Sequence, residues 1–124
     1  GTNLYVADRN NNRIRKIVIS TGVVTTLAGS SQGYTDDTGT SASFYYPRGI
    51  TTDGTNLYVA DYGNHRIRKI VISTGVVTTL AGSSSGNTDA TGTSASFYYP
   101  LGITTDGTNL YVSDTYNHRI RKIE

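Results

Sequence analysis

The chain has 124 residues, no Cys, a formal net charge of +2 and a pI near 8.9. That imbalance is far short of a polyphosphate-binding tract, so nucleic acid is not indicated as a partner, and the lack of Cys excludes a disulfide framework, a thiol nucleophile and a Cys-based zinc site. No apolar run approaches the ~18 residues of a membrane span and the first residues do not read as a signal peptide, which leaves the compartment open, a secreted or cell-surface parent included.

A 53-residue unit recurs almost unchanged. Gly1 to Val6 returns as Gly54 to Val59 and again as Gly107 to Val112, and residues 1–53 and 54–106 differ at seven positions. The chain therefore divides into units 1–53 and 54–106 and a partial third, 107–124. It opens on Gly rather than Met, which reads as a processed, excised or engineered piece of something longer. Apolar residues make up only 35%. Thr, Ser, Gly and Asn are abundant, so burial has to come from many small strands rather than one thick core.

Short runs of Tyr, Val, Ile and Thr bounded by Gly, Asn, Asp and Ser predict strands, and no stretch has a convincing 3.6-residue apolar period. In chain order the complete unit predicts strand A over Gly49–Thr52, strand B over Thr55–Asp61, strand C over Arg66–Ile72 and strand D over Val76–Ala81. Asp53-Gly54 between A and B and Thr74-Gly75 between C and D match tight hairpin turns that need positive φ. Tyr62 to His65 forms a slightly longer polar B–C turn, and D returns to the next A through the long loops 29–48 and 82–101. Strand C places Ile67 on one side and Arg68, Ile70 and Ile72 on the other, so both faces carry apolar groups, as a sheet packed between two neighbours requires. The whole chain then reads B-C-D, A-B-C-D, A-B-C. Four hairpin-linked antiparallel strands at this period describe the blades of a β-propeller, an all-β fold of four-stranded sheets.

Residues 49 to 70 contain Tyr58-Val59-Ala60-Asp61 followed by Asn64-His65-Arg66-Ile67, and the second motif returns at Asn117 to Ile120, with Asn11-Asn12-Arg13-Ile14 as the variant in the first copy. This spacing resembles the NHL repeat over the whole chain. The resemblance implies a propeller, commonly of six blades, without implying one activity, because the family includes scaffolds, RNA binders and lyase- or lactonase-like enzymes.

Two and a third units leave apolar faces uncovered, and stacked repeats need at least about three units or a closed ring. The expected answer is self-association into a closed ring of six blades. It could be a trimer in which one chain's C-terminal A strand completes another's B-C-D, or a dimer with three blade-like sheets per chain. A seven-bladed trimer fails because each junction would run C into B. Open fibres are the alternative to closure.

Strands alternate direction, so the B–C turns and D–A loops share one face. The differences between copies fall there: Arg9/Tyr62, Asn10/Gly63 and Asn12/His65, then Gln32/Ser85, Tyr34/Asn87 and Asp37/Ala90, with Arg48/Leu101 at the loop's end. The third copy adds Thr115 and Tyr116. Loop tips tolerate change because nothing packs on them; the functional alternative is a varied binding surface on a shared framework. Its candidates are Arg9, Asn10, Asn12, Tyr34, Arg48, Tyr62, His65, Asn87, Tyr116 and His118, facing a protein or a carbohydrate. His65 and His118 lie on separate blades, lack a close metal-ligand spacing and match an Asn in the first copy, so a turn-stabilising hydrogen bond is expected of them. Asp8, Asp61 and Asp114 end strand B and are expected to be structural, accepting backbone N–H groups of the B–C turn. Thr35 to Gly39 lacks a calcium ligand ladder. Phe44 to Pro47 and Phe97 to Pro100 are expected to anchor the long loop between blades. The basic residues of strand C, offset by eight Asp, are expected to be solvated or inter-blade. Nucleophile elbows and phosphate-cradling Gly motifs are absent. The sequence thus predicts a non-enzymatic binding or scaffold module without metal or cofactor. A lactonase- or lyase-like enzyme with a central metal and an RNA-binding face are the alternatives.

Overall fold

The computed structural model describes residues 1–124. Ten strands follow one another: β1 (Asn3–Asp8), β2 (Arg13–Val18), β3 (Val24–Ala28), β4 (Pro47–Thr52), β5 (Asn56–Asp61), β6 (Arg66–Val71), β7 (Val77–Gly82), β8 (Pro100–Thr105), β9 (Leu110–Asp114) and β10 (Arg119–Ile123). They form three antiparallel sheets, β1-β2-β3, β4-β5-β6-β7 and β8-β9-β10. The middle sheet is a complete A-B-C-D blade, the first lacks A and the last lacks D, in the order read from the sequence. Strand A starts two residues earlier than its apolar run suggested, at Pro47. Proline is tolerated there because it opens an edge strand.

The hairpins have local causes. Gly54 and Gly75 adopt φ of +92° and +75°. Asp53 clamps the first of these turns by accepting the N–H groups of Thr55 (2.9 Å) and Asn56 (2.7 Å) on one carboxylate oxygen. Those bonds hold its carboxyl down at a pKa of about 2. The B–C turns are single turns of 3-10 helix, closed by Asn12, His65 and His118 in the left-handed region.

Each sheet presents different residues to its two neighbours. Towards the first blade the middle one offers Leu57, Val59, Ile70 and Val77, which meet Ile14 and Ala28 of that blade and Ala42 and Phe44 of the connecting loop. Its other face offers Ala60, Ile67 and Ala81, which join Ala95 and Phe97 of the next loop against Leu110 and Val112. Two layers built from equivalent residues thus hold three blades together, each buried Val, Leu, Ile or Phe side chain contributing about 1.5–3 kcal/mol and each Ala less. The long loop is a structural part of these layers. Phe44 and Phe97 enter the core, and the loop also spaces the outer strands, since Gly39 donates to Gly75 O (2.9 Å) and Val77 donates to Asp37 O (2.8 Å). At the opposite edge β4 and β8 come so close that a Cβ on Gly49 would collide with Leu101 O and meet Ile103 N at 3.0 Å. Sheets that converge at strand A and are wedged apart at strand D fan out as propeller blades do.

Candidate functional site: the loop face and the network beneath it

Strand pairing sets Asp61 opposite Arg66 and Val59 opposite Arg68, so the Asp61 and Arg68 side chains share a sheet face. Both are fully buried. Arg68 Nη1 donates to Asp61 Oδ2 (2.9 Å) and to Ser43 O (2.8 Å), and Nη2 donates to Thr35 O (3.0 Å) and to Asp36 Oδ1 (2.7 Å). Asp61 also accepts Tyr45 N–H (2.9 Å) and Asn64 Nδ2 (2.7 Å), and that Asn64 nitrogen reaches Gly33 O (2.6 Å). Burial pushes the Asp61 carboxyl up, opposed by the bonds from Asn64 and Tyr45 and by the Arg68 guanidinium. The guanidinium lies 4.9 Å over the Phe44 ring. A buried pair is tolerable only when most of its remaining donors and acceptors are met; here the loop meets both terminal nitrogens of the guanidinium, while Arg68 Nε is buried without a partner.

The same arrangement repeats one blade on. Arg121 binds Asp114 (2.8 Å), Ser96 O (3.0 Å), Thr88 O (3.0 Å) and Asp89 (2.6 Å); Asp114 accepts Tyr98 N–H (2.8 Å), and Asn117 reaches Gly86 O (2.7 Å). The carboxylates at the end of strand B therefore take their backbone N–H from the preceding D–A loop rather than from their own turn, whose contribution is the Asn side chain. In the first blade Asp8 meets only Asn11 (2.9 Å) and Arg15 (3.0 Å).

A family model for "NHL repeat" matches residues 44–70 and 97–123, each spanning the end of a D–A loop and strands A, B and C, with the Asp–Asn–Arg network inside it. These are NHL repeats. The chain is similar to human NHL repeat-containing protein 2, at 35% identity over 98% of this chain and 19% of that protein. Among solved structures, an auxiliary nutrient binding protein from Bacteroides ovatus superposes with a TM-score of 0.86 at 26% identity, over 99% of this chain and 35% of that one. A protein of unknown function from Bacteroides thetaiotaomicron gives 0.84 at 31% identity, over 97% and 32%. The chain thus spans a fifth to about a third of the length of these relatives, and the fold is that of propeller blades.

On the loop face of the NHL blades, the sequence candidates sort into groups. Tyr62, His65 and Tyr116 gather around Tyr98 and Tyr99: Tyr62 and Tyr116 each lie 4.8 Å from the Tyr99 ring, Tyr116 lies 5.2 Å from Tyr98, and Tyr98 stacks on Tyr99 at 5.1 Å. Arg48 covers the outer side of Tyr62 at 4.5 Å. Arg9 and Asn12 meet Tyr46 instead, Arg9 over its ring at 5.4 Å and Asn12 accepting its N–H at 3.0 Å. Tyr34 is 61% exposed and capped by Arg66 at 4.2 Å, beside a shallow cleft of about 410 Å³ lined also by Thr35, Asp36 and Thr79. Asn10, Asn87 and His118 are exposed and form no side-chain hydrogen bond with the rest of the chain. The structure gathers no three His, Asp or Glu side chains at one point.

The residues that sequence reasoning did not single out are Arg68, Arg121, Asp36, Asp89, Ser43 and Ser96. One signal was present, the fixed three- and seven-residue spacing of Asp61, Asn64 and Arg68 in every copy.

Proposed function

We propose that these NHL blades form a non-enzymatic binding module whose loop face contacts a ligand, and that further blades, supplied by other copies, complete the ring. The carrying observation is the layering of the loop face. The Asp–Asn–Arg network and the aromatic anchor below it are identical in both full copies, while six of the seven differences lie in the turns and loops above and the seventh at the loop's end. A rigid base under a varied top is the arrangement that recognition surfaces use.

The four clustered tyrosines Tyr62, Tyr98, Tyr99 and Tyr116, with Arg48 stacked on one of them, offer flat faces for stacking and hydroxyls for hydrogen bonds, which fits a carbohydrate. The description of the Bacteroides ovatus structure as a nutrient binding protein supports a binding role. Tyr116 is 52% exposed and packs on both Tyr98 and Tyr99. Calorimetric titration with a panel of neutral oligosaccharides should give binding that Tyr116→Ala weakens by about 2 kcal/mol, a hot-spot magnitude, with an unchanged circular dichroism spectrum. A saccharide that binds the variant equally well, or a panel with no binder, overturns the carbohydrate reading.

A further inference from the structure

The docking place that residues 107–124 occupy has a second claimant within the same sequence. It is formed by β8 and the 82–99 loop, and it presents Tyr98 N–H, Ser96 O, Thr88 O, Gly86 O and the Asp89 carboxylate, which Asp114, Asn117 and Arg121 fill. Asp8, Asn11 and Arg15 stand at the same spacing on β1 and β2 and already form the same internal triad. They have no loop to dock against. The Asp8 and Arg15 side chains are 27% and 29% exposed, whereas Asp61 and Arg68 are both at 0%. Leu4, Val6 and Val24 are 52%, 39% and 48% exposed, whereas their counterparts Leu57, Val59 and Val77 are at most 1%. The first sheet is thus a finished half of an inter-blade layer with its other half absent.

The resident hairpin is an incomplete occupant. In the middle blade, Asp36 also accepts Thr79 N–H (3.0 Å) and Thr79 Oγ1 (3.1 Å) from strand D. The equivalent Asp89 has no strand D to meet and its side chain is 86% exposed. Beside it a cleft of about 830 Å³ runs along the free edge of β10, and Ile120 is 74% exposed where Ile14 and Ile67 are at 0%. Residues 1–28 carry all three strands B, C and D, including Thr26 at the position of Thr79.

We propose that the partner for this place is a second copy of the chain: its residues 1–28 exchange with residues 107–124 on β8 and the 82–99 loop. The incoming sheet replaces Leu110 and Val112 with Leu4 and Val6, puts Arg15 on Asp89, Ser96 O and Thr88 O, and adds Val24 and the Thr26 bonds that the hairpin cannot make. The product is a complete four-stranded blade shared by two chains. Each chain then contributes two blades, its own β4–β7 and one composite, and the displaced hairpin is released to solvent. Because the hairpin is tethered and the incoming sheet is not, the hairpin holds the place in dilute solution and exchange sets in as concentration rises. This deepens the self-association part of the proposed function and is independent of the carbohydrate part.

The test locks the hairpin in place. Thr104 and Tyr111 are directly opposite in the β8–β9 ladder, a separation a disulfide spans, and the chain has no other Cys. In the full chain carrying Thr104→Cys and Tyr111→Cys, light scattering coupled to size exclusion should give a monomer at all concentrations when oxidised. The same sample should give concentration-dependent assembly when reduced. Adding Asp8→Ala and Arg15→Ala should abolish assembly of the reduced form, since these side chains belong to the incoming sheet and are not needed by the hairpin. Equal assembly of the oxidised and reduced proteins overturns exchange and leaves self-association through open faces standing. A reduced protein that stays monomeric throughout overturns both.

Discussion

His65 Nδ1 accepts the backbone N–H of Tyr99 at 3.0 Å across 34 residues of chain, and Asn12 Oδ1 accepts the N–H of Tyr46 at the same distance one blade earlier. The two side chains are different chemically and alike in use. Both sit at φ near +56°, closing a B–C turn, and both present an acceptor to a tyrosine that is itself at φ of +50° or +54°. A non-glycine residue in that region costs about 1–3 kcal/mol and persists only where its surroundings hold it. Asn is among the residues that adopt this conformation most readily, and His shares the enrichment.

This pair makes the second blade sensitive to pH and the first not. Protonated imidazole has no acceptor at Nδ1, so charging His65 breaks the Tyr99 bond. Desolvation and the neighbouring Arg66 push the His65 pKa below its usual value, with the Asp114 carboxylate opposing; the Tyr98 and Tyr99 rings also face it. The unfolded chain then binds the proton more tightly than the folded one. Stability is complete above the unfolded His value of about 6.5 and falls as pH drops through it. Thermal melts from pH 8 to pH 5 should show this decline in the native protein and a flatter curve in His65→Asn, which copies the first blade. An unchanged decline in the variant would rule out His65 as its source.

Arg68 and Arg15 are equivalent residues in unequal surroundings, and their removal should differ accordingly. Arg68→Ala leaves Asp61 buried without its counter-charge and Ser43 O without a donor, and takes from Thr35 O one of its two donors, the other being Ser43 N–H, at a cost of about 3–5 kcal/mol. Arg15→Ala removes a half-exposed pair, worth about 0–1 kcal/mol. Urea denaturation of the two variants measures the difference, and equal losses would mean that the buried network does not stabilise the middle blade.

Gly49 and Gly102 occupy the same place in adjacent strands A but face different obstacles. A methyl group at Gly49 meets the β8 main chain, which cannot move without shifting the sheet, while at Gly102 it meets only Ser113 Oγ at 3.0 Å, a side chain that can rotate away. Gly49→Ala should cost about 1–3 kcal/mol, in the range of overpacked cores, and Gly102→Ala should cost less. Melting temperatures of the two variants in one buffer decide the matter; the reverse order would mean that β4 and β8 are not tightly apposed.

What the sequence alone determined was everything that repeats locally. The 53-residue period fixed the unit, the short Tyr, Val, Ile and Thr runs bounded by Gly, Asn, Asp and Ser placed strands within two residues of their ends, and Asp53-Gly54 and Thr74-Gly75 specified two hairpins, because a hairpin depends only on its own few residues. It also separated a uniform framework from a varied loop face, and it set Phe44 and Phe97 between blades. Tertiary structure alone decided which loop serves which blade. Arg68 finds Asp61 seven residues away, but it also finds Asp36 across 32 residues and the carbonyl of Ser43 across 25, in a loop that belongs to the preceding unit. Near-identical copies make such pairings ambiguous in one dimension, since Arg15, Arg68 and Arg121 read alike. The difference between a guanidinium at 0% exposure and one at 29% comes from whether a neighbouring loop is there to cover it, and that depends on how the sheets fan out in space.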